Sequence, residues 1–408
     1  MFSKYKKLFL SIGLLLVSLI IGYFIYALFF KKTIIPTEPL PGESTGKPSG
    51  LPIAQEGTQK PVQPATSTKL KVESVPFKPS EIATGGVTQV NSITNHPTIG
   101  AKMSSTGTNL NYYDKTDGKF YTVGKGGQIK TLSDKQFFDV QDVTWSPTKE
   151  KAILEYPDGA NIIYDFATNK QVTMPAHWEN FDFSPAGDKI AMKSLGLDPD
   201  NRWLAMVNED GTSAKKIEPI GTNADNIHVS WSPNDQIVGY EIQGIDAERQ
   251  EIFFIGKNKE NFKSMTVNGR GLEAKWNPAG DKLLYSTYSS VSDNKPTIWS
   301  ANASGEAIGS DRKRLNIETW ASKCTFDNPK ELLCAVPNEL PSGAGMIPSL
   351  ADSTIDSFYQ IDTETGFKKL IAVPENNLSA SNLVVSKDGE SLYFTNNITG
   401  ALEQIKLK

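Results

Sequence analysis

Side chains able to do chemistry are sparse in this chain of 408 residues, which has three histidines, His96, His177 and His228, and two cysteines, Cys324 and Cys334. The histidines stand in no metal-ligand spacing such as H-E-x-x-H, where two imidazoles share one helix face. Asp198, Asp200 and Asn201, or Asp114 and Asp117, offer the oxygens that calcium takes, but not in the D-x-[DN]-x-[DN]-G spacing that wraps the ion. Asp and Asn at such places are ordinary turn formers. Asp246 and Glu248 pair two carboxylates without an acid/base partner, which leaves them as solvated loop residues. Gly42-Glu43-Ser44-Thr45-Gly46 spells G-x-S-x-G, yet it lies between Pro41 and Pro48 with no strand to present the serine, so it reads as a chance match. No metal or other cofactor is implied, and no catalytic residue stands out.

Cys324 and Cys334 flank a short hairpin, Phe326–Glu331. If the two strands pair so that the cysteines oppose, a disulfide would staple them; a one-residue slip would send one thiol to the other face. Both outcomes are open at this level.

The elements that hold these residues divide the chain in three. Residues 8–30 carry no charge and are flanked by Lys4, Lys6 and Lys7 on one side and Lys31 and Lys32 on the other. A helix of that length covers about 35 Å, enough to cross a hydrocarbon core of about 30 Å. The bulky stretch before Lys31 offers no small-x-small cleavage site, so residues 1–32 read as an uncleaved signal anchor with a transmembrane helix. The lysine bias puts the N-terminus in the cytoplasm and everything after Lys32 outside. Residues 33–80 hold nine prolines and one aromatic, Phe77, too little apolar surface to offset ordering entropy. They read as a disordered linker.

Net charge follows the same division. The total is −4, but residues 1–32 contain five lysines and no acid, while 81–408 hold 32 basic and 42 acidic residues. An acidic domain lacks the footprint that phosphate-backbone binding requires, so nucleic acid is excluded as a partner.

From residue 81 on, short alternating apolar runs are separated by Gly, Asn, Asp and Pro clusters, an all-β pattern. Within it a unit recurs: an aromatic, Ser or Asn, Pro, a turn, then an apolar strand. The clearest copies start at Trp145, Phe183, Trp231 and Trp276, and weaker ones at Met103, Phe326 and Val385, giving intervals of 42, 38, 48, 45, 50 and 59 residues. Pro fixes φ at the turn and Gly supplies positive φ, so each copy closes a tight hairpin. Seven units near this spacing suit four-stranded blades of a seven-bladed β-propeller. The last unit stops at Lys408 with room for only three strands, so a segment within Val87–Ile99 is expected to supply the fourth and close the ring.

With Trp145-Ser146-Pro147, Phe183-Ser184-Pro185-Ala186-Gly187-Asp188-Lys189 and Trp276-Asn277-Pro278-Ala279-Gly280-Asp281-Lys282 in view, the sequence resembles the TolB-type (WD40-like) β-propeller repeat family over about residues 100–408. Residues 149–151 replace the turn glycine, and the copy at Trp231 is one residue short. The WD40 Gly-His and Trp-Asp pairs and the kelch double glycine are missing. The resemblance implies an extracytoplasmic binding or scaffolding module, often without catalysis.

Propeller loops between second and third strands share one face with the blade-to-blade connections, and loop length marks a binding surface. The long ones here are Ser194–Asn201, Ile242–Gln250, Thr287–Lys295 and Pro337–Ile355. The last places Leu340, Met346, Ile347 and Leu350 in a Gly/Pro-rich insertion, either exposed for a partner or folded over its own blade. The expectation is a membrane-tethered, non-catalytic module that binds an envelope protein or cell-wall component. The competing reading is an envelope hydrolase or lyase at the channel mouth, which requires carboxylates to converge there with His177 or His228.

Overall fold

The computed structural model describes residues 78–408, together with Tyr23. Apart from Tyr23, the segment read as a membrane anchor lies outside the described residues, as do residues 33–77 of the proline-rich stretch and the G-x-S-x-G match. Among the described residues no helix is long and apolar enough to cross a membrane.

Among the described residues, twenty-nine strands assemble into seven sheets of a β-propeller. Blade 1 is a meander of Thr98–Met103, Leu110–Asp114, Lys119–Val123 and Ile129–Thr131. The first strands of blades 2 to 7 are Asp142–Trp145, Trp178–Phe183, Ile227–Val229, Arg270–Trp276, Cys324–Asn328 and Ala380–Val385. The repeat unit is the first hairpin of each blade. Its polar residue after the aromatic ties the turn: the Ser184 hydroxyl accepts from Asp188 N and Lys189 N and donates to Asp188 Oδ1. Asn277 Oδ1 accepts the equivalent pair, Asp281 N and Lys282 N. Gly187 and Gly280 sit at φ 69° and 70°, the left-handed region that a Cβ disfavours.

Trp145, Phe183, Trp231 and Trp276 are all buried, and the apolar layers they join lie between blades. Phe120 of blade 1 packs edge-on to Trp145 and Phe166 of blade 2, and Phe254 of blade 4 packs on Trp276 of blade 5. Because each blade buries apolar side chains on both broad faces, every blade needs a neighbour on either side, and the set of clusters between blades is complete only when the ring closes. Phe326 is only partly buried in its blade. Beside it Cys324 and Cys334 are opposed in register and joined by a disulfide, S–S 2.06 Å.

Asn91–Ser92 pairs antiparallel with Leu402–Lys406 and fills the fourth place of blade 7, within the segment the sequence marked for closure. Ile93 N donates to Leu402 O at 2.8 Å, and Leu402 N donates back to Thr94 Oγ1 at 3.0 Å. A further feature was not expected. Val87–Thr88 adds a parallel fifth strand to Lys368–Pro374 at the rim of blade 6, so one N-terminal segment spans two blades.

Two loop expectations change. Ile242–Gln250 is not a long loop, since the strands Ile237–Asp246 and Arg249–Gly256 keep pairing up to Asp246 opposite Arg249. The cause is the alternation of buried Gln250, Ile252, Phe254 and Gly256, a period of two that continues the sheet outward. Leu340 is buried against Trp320, Ala344 and Ala351, so it anchors the insertion instead of presenting itself.

Candidate functional site

The meander order puts the signature turns on one face and the second-to-third-strand loops, with the blade connections, on the other. The latter face carries the insertion between Glu331–Pro337 and Asp356–Asp362. Leu340, Ala344 and Ala351 fold inward, which turns Met346, Ile347 and Leu350 outward at 57%, 55% and 45% exposure. Both readings of this segment therefore hold in part: it folds over its own blade through Leu340 and displays the other three. Neighbouring loops do the same on a smaller scale, with Leu197 on blade 3, Val291 on blade 5 and Ile398 on blade 7 all exposed.

Inside the ring, the charged residues immediately before three of the repeat starts, Met103, Phe183 and Trp276, strap one blade to the next. Lys102 Nζ donates to Trp145 O at 3.2 Å, Asp182 Oδ2 accepts from Trp231 N at 2.7 Å, and Lys275 Nζ donates to Cys324 O at 2.6 Å. Their surroundings shift them: burial pushes the Asp182 carboxyl up to about 6 and the Lys275 ammonium down to about 8, and burial also lowers Lys102. Sequence reading overlooked this set. The available signal was a charged residue one place before Met103, Phe183 and Trp276.

At the mouth, Lys323 Nζ lies 2.7 Å from Asp356 Oδ2, which also accepts from Ala380 N at 2.6 Å. Both side chains are almost fully buried. Burial raises the Asp356 pKa and the neighbouring ammonium opposes that. This pair locks the blade 5–6 connection, blade 6 and blade 7 together. Beside it is a small pocket of about 160 Å³, whose lining includes Glu273, Trp320, Ser322, Lys323 and Asp352.

A larger cleft of about 550 Å³ opens between blades 4 and 5, lined among others by Asp246, Glu248, Arg249, Trp299 and Arg314. Asp246 is tied to Arg249, 2.7 Å away, and that guanidinium holds its carboxyl below the usual range. Glu248 Oε2 accepts from Ser290 N. Neither histidine of interest lines this cleft or the mouth pocket: His177 is exposed beside Trp178, and His228 stacks on Tyr240 at 5.2 Å. His228 is exposed as a residue, yet desolvation of its ring, then the positive charge of Lys193, lowers its pKa. His96 pairs instead with Asp114 at 3.0 Å.

The calcium candidates are used as turn formers: Asp198 Oδ1 accepts from Asp200 N, and Asp117 Oδ1 accepts from Lys119 N. Among the described residues no three His, Cys, Asp or Glu side chains gather as metal ligands would.

No protein-family model and no curated protein matches this chain. Solved structures do match it in fold. The Cps50 (Swd1) β-propeller domain of Myceliophteria thermophila is 12% identical with a TM-score of 0.51, over 78% of this chain and all of that one. An oligogalacturonate lyase in complex with manganese is 14% identical at 0.50, over 78% and 93%. Hydrazine synthase of Kuenenia stuttgartiensis is 12% identical at 0.50, over 77% and 96%. At such identities the likeness is one of fold, and the chain is a seven-bladed β-propeller.

Proposed function

We propose that this protein is a TolB-type propeller held to a membrane by residues 8–30, standing outside the cytoplasm on its proline-rich tether, and acting as a non-catalytic docking module for another envelope protein. One observation carries the reading. Among the described residues other than Tyr23, thirteen large hydrophobic side chains are exposed; eight lie on loops of the insertion face, a ninth, Ile245, ends a strand beside it, and of these thirteen only Phe367 lies on a loop of the opposite face. Single exposed apolar residues are ordinary, but their concentration on one rim is what a protein-contact surface requires. The propeller's rigid ring would hold these tips in fixed positions, so binding them costs little ordering entropy.

The test is chemical cross-linking in intact cells followed by affinity isolation, comparing wild type with a deletion of 338–355 and with Met346→Ser/Ile347→Ser/Leu350→Ser. Pro337 and Asp356 face each other across the sheet, so a two-residue turn can replace the insertion. The triple serine variant alters only exposed side chains. Loss of the cross-linked species in both variants is expected; an unchanged cross-linking pattern would refute the docking role of this face.

A further inference from the structure

The apolar tips do not say what kind of protein they meet, but the charge of the face does. Loops joining second to third strands, with the blade connections, hold thirteen acidic and four basic residues; the loops of the signature face hold twelve acidic and nine basic. Nearly all the negative excess of the propeller is therefore on the insertion face, and one of its four cations, Lys323, is neutralised by Asp356. A field of one sign beside exposed apolar side chains favours a partner of opposite charge and repels anionic polymers and anionic lipid.

The mouth pocket adds a specific place. At about 160 Å³ it is below the usual range of small-molecule sites, roughly 300–1,000 Å³. Its walls present the carboxylates of Glu273 and Asp352, the buried indole of Trp320 and the Lys323 ammonium, whose charge Asp356 already answers at 2.7 Å. Glu273 accepts only from Ser322 N, and Asp352 is exposed at the end of the insertion's short helical turn. Two carboxylates and an aromatic around a space of one side chain suit a guanidinium or an ammonium.

We propose that the docked partner is a cationic protein surface with apolar side chains, and that one of its Lys or Arg residues enters the pocket between Glu273 and Asp352. This rests on the docking reading above and names the partner's chemistry. Cationic character sets the association rate through the whole face, and the pocket sets the register.

The experiment uses the full chain in nanodiscs of neutral lipid, titrated with labelled peptides of alternating Leu and Lys, or Leu and Glu, of equal length. The Leu/Lys peptide is expected to bind, about tenfold more weakly at high than at low salt, and the Leu/Glu peptide not to bind. Asp352→Asn alone, and with Glu273→Gln, is expected to weaken binding about fivefold or more. Asp210→Asn/Glu364→Gln, on the opposite face, is expected to change it less than twofold. Equal binding of both peptides, or equal loss from the opposite-face pair, would overturn the cationic partner. The same substitutions introduced in the cell cross-linking experiment separate the two proposals. If serine tips abolish the cross-link while Asp352→Asn/Glu273→Gln leaves it intact, docking stands and the cationic partner falls.

Discussion

At the scale of single residues, the interior of the ring is set apart by charges placed where burial opposes them. Asp182 and Lys275 are straps whose partners are backbone atoms of the next blade, so their charge is incidental to the hydrogen bond they make. Glu155 is a clearer case, because burial and the nearby Asp142 raise it to about 7. Its pKa in the unfolded chain is near 4.5, so between those values the folded state keeps a proton that the unfolded state has lost. Stability from this group is full below about pH 4.5 and is lost as pH rises through about 7. Glu155→Gln keeps an acceptor and removes the titration. Thermal unfolding at pH 8 should then shift upward by about 2–4 °C, with little change at pH 4.5. A variant that is no more stable than wild type at pH 8 would show that Glu155 does not titrate in this window. The disulfide is different in kind. It closes a loop of ten residues within one hairpin, which on loop entropy contributes about 2.5 kcal/mol, and the strands were already paired by their own register.

At the scale of elements, closure is where sequence and structure agree most usefully. The shortfall of one strand after Leu402–Lys406 could be counted from the repeat, and Asn91–Ser92 fills it. The parallel pairing of Val87–Thr88 with blade 6 was not legible, because two residues carry no periodicity and the bonds they make are backbone bonds. Deleting residues 81–93 should lower the unfolding temperature sharply and raise amide exchange first in blade 7, whose Leu402–Lys406 strand becomes an edge. Thr94→Val is the milder form: Leu402 N loses its side-chain acceptor, at about 1–2 kcal/mol. Unchanged stability and exchange in both would contradict closure by this segment. The insertion was half legible for a similar reason. Its Gly/Pro content marked a loop, but which of its apolar residues turn inward is decided by Trp320, a residue outside it.

At the scale of the whole molecule, the repeat of Trp145, Phe183, Trp231 and Trp276 was enough to name the architecture, since each aromatic begins a hairpin and each interval matches a blade. The candidate site was less legible. Exposure of Leu197, Val291 and Ile398 on one face depends on the direction of each strand, which no single loop records. The partition of charge between the two faces likewise appears only once the loops are sorted by the ring. A propeller that docks through its insertion face should behave asymmetrically in the cell. The direct measurement is site-specific photo-cross-linking in intact cells, with the reactive side chain placed in turn at Val291, Met346, Ile398 and, on the opposite face, Phe367. A common protein adduct at the first three positions and none at Phe367 is the expected result; adducts at Phe367 alone, or equally at all four, would contradict docking through this face.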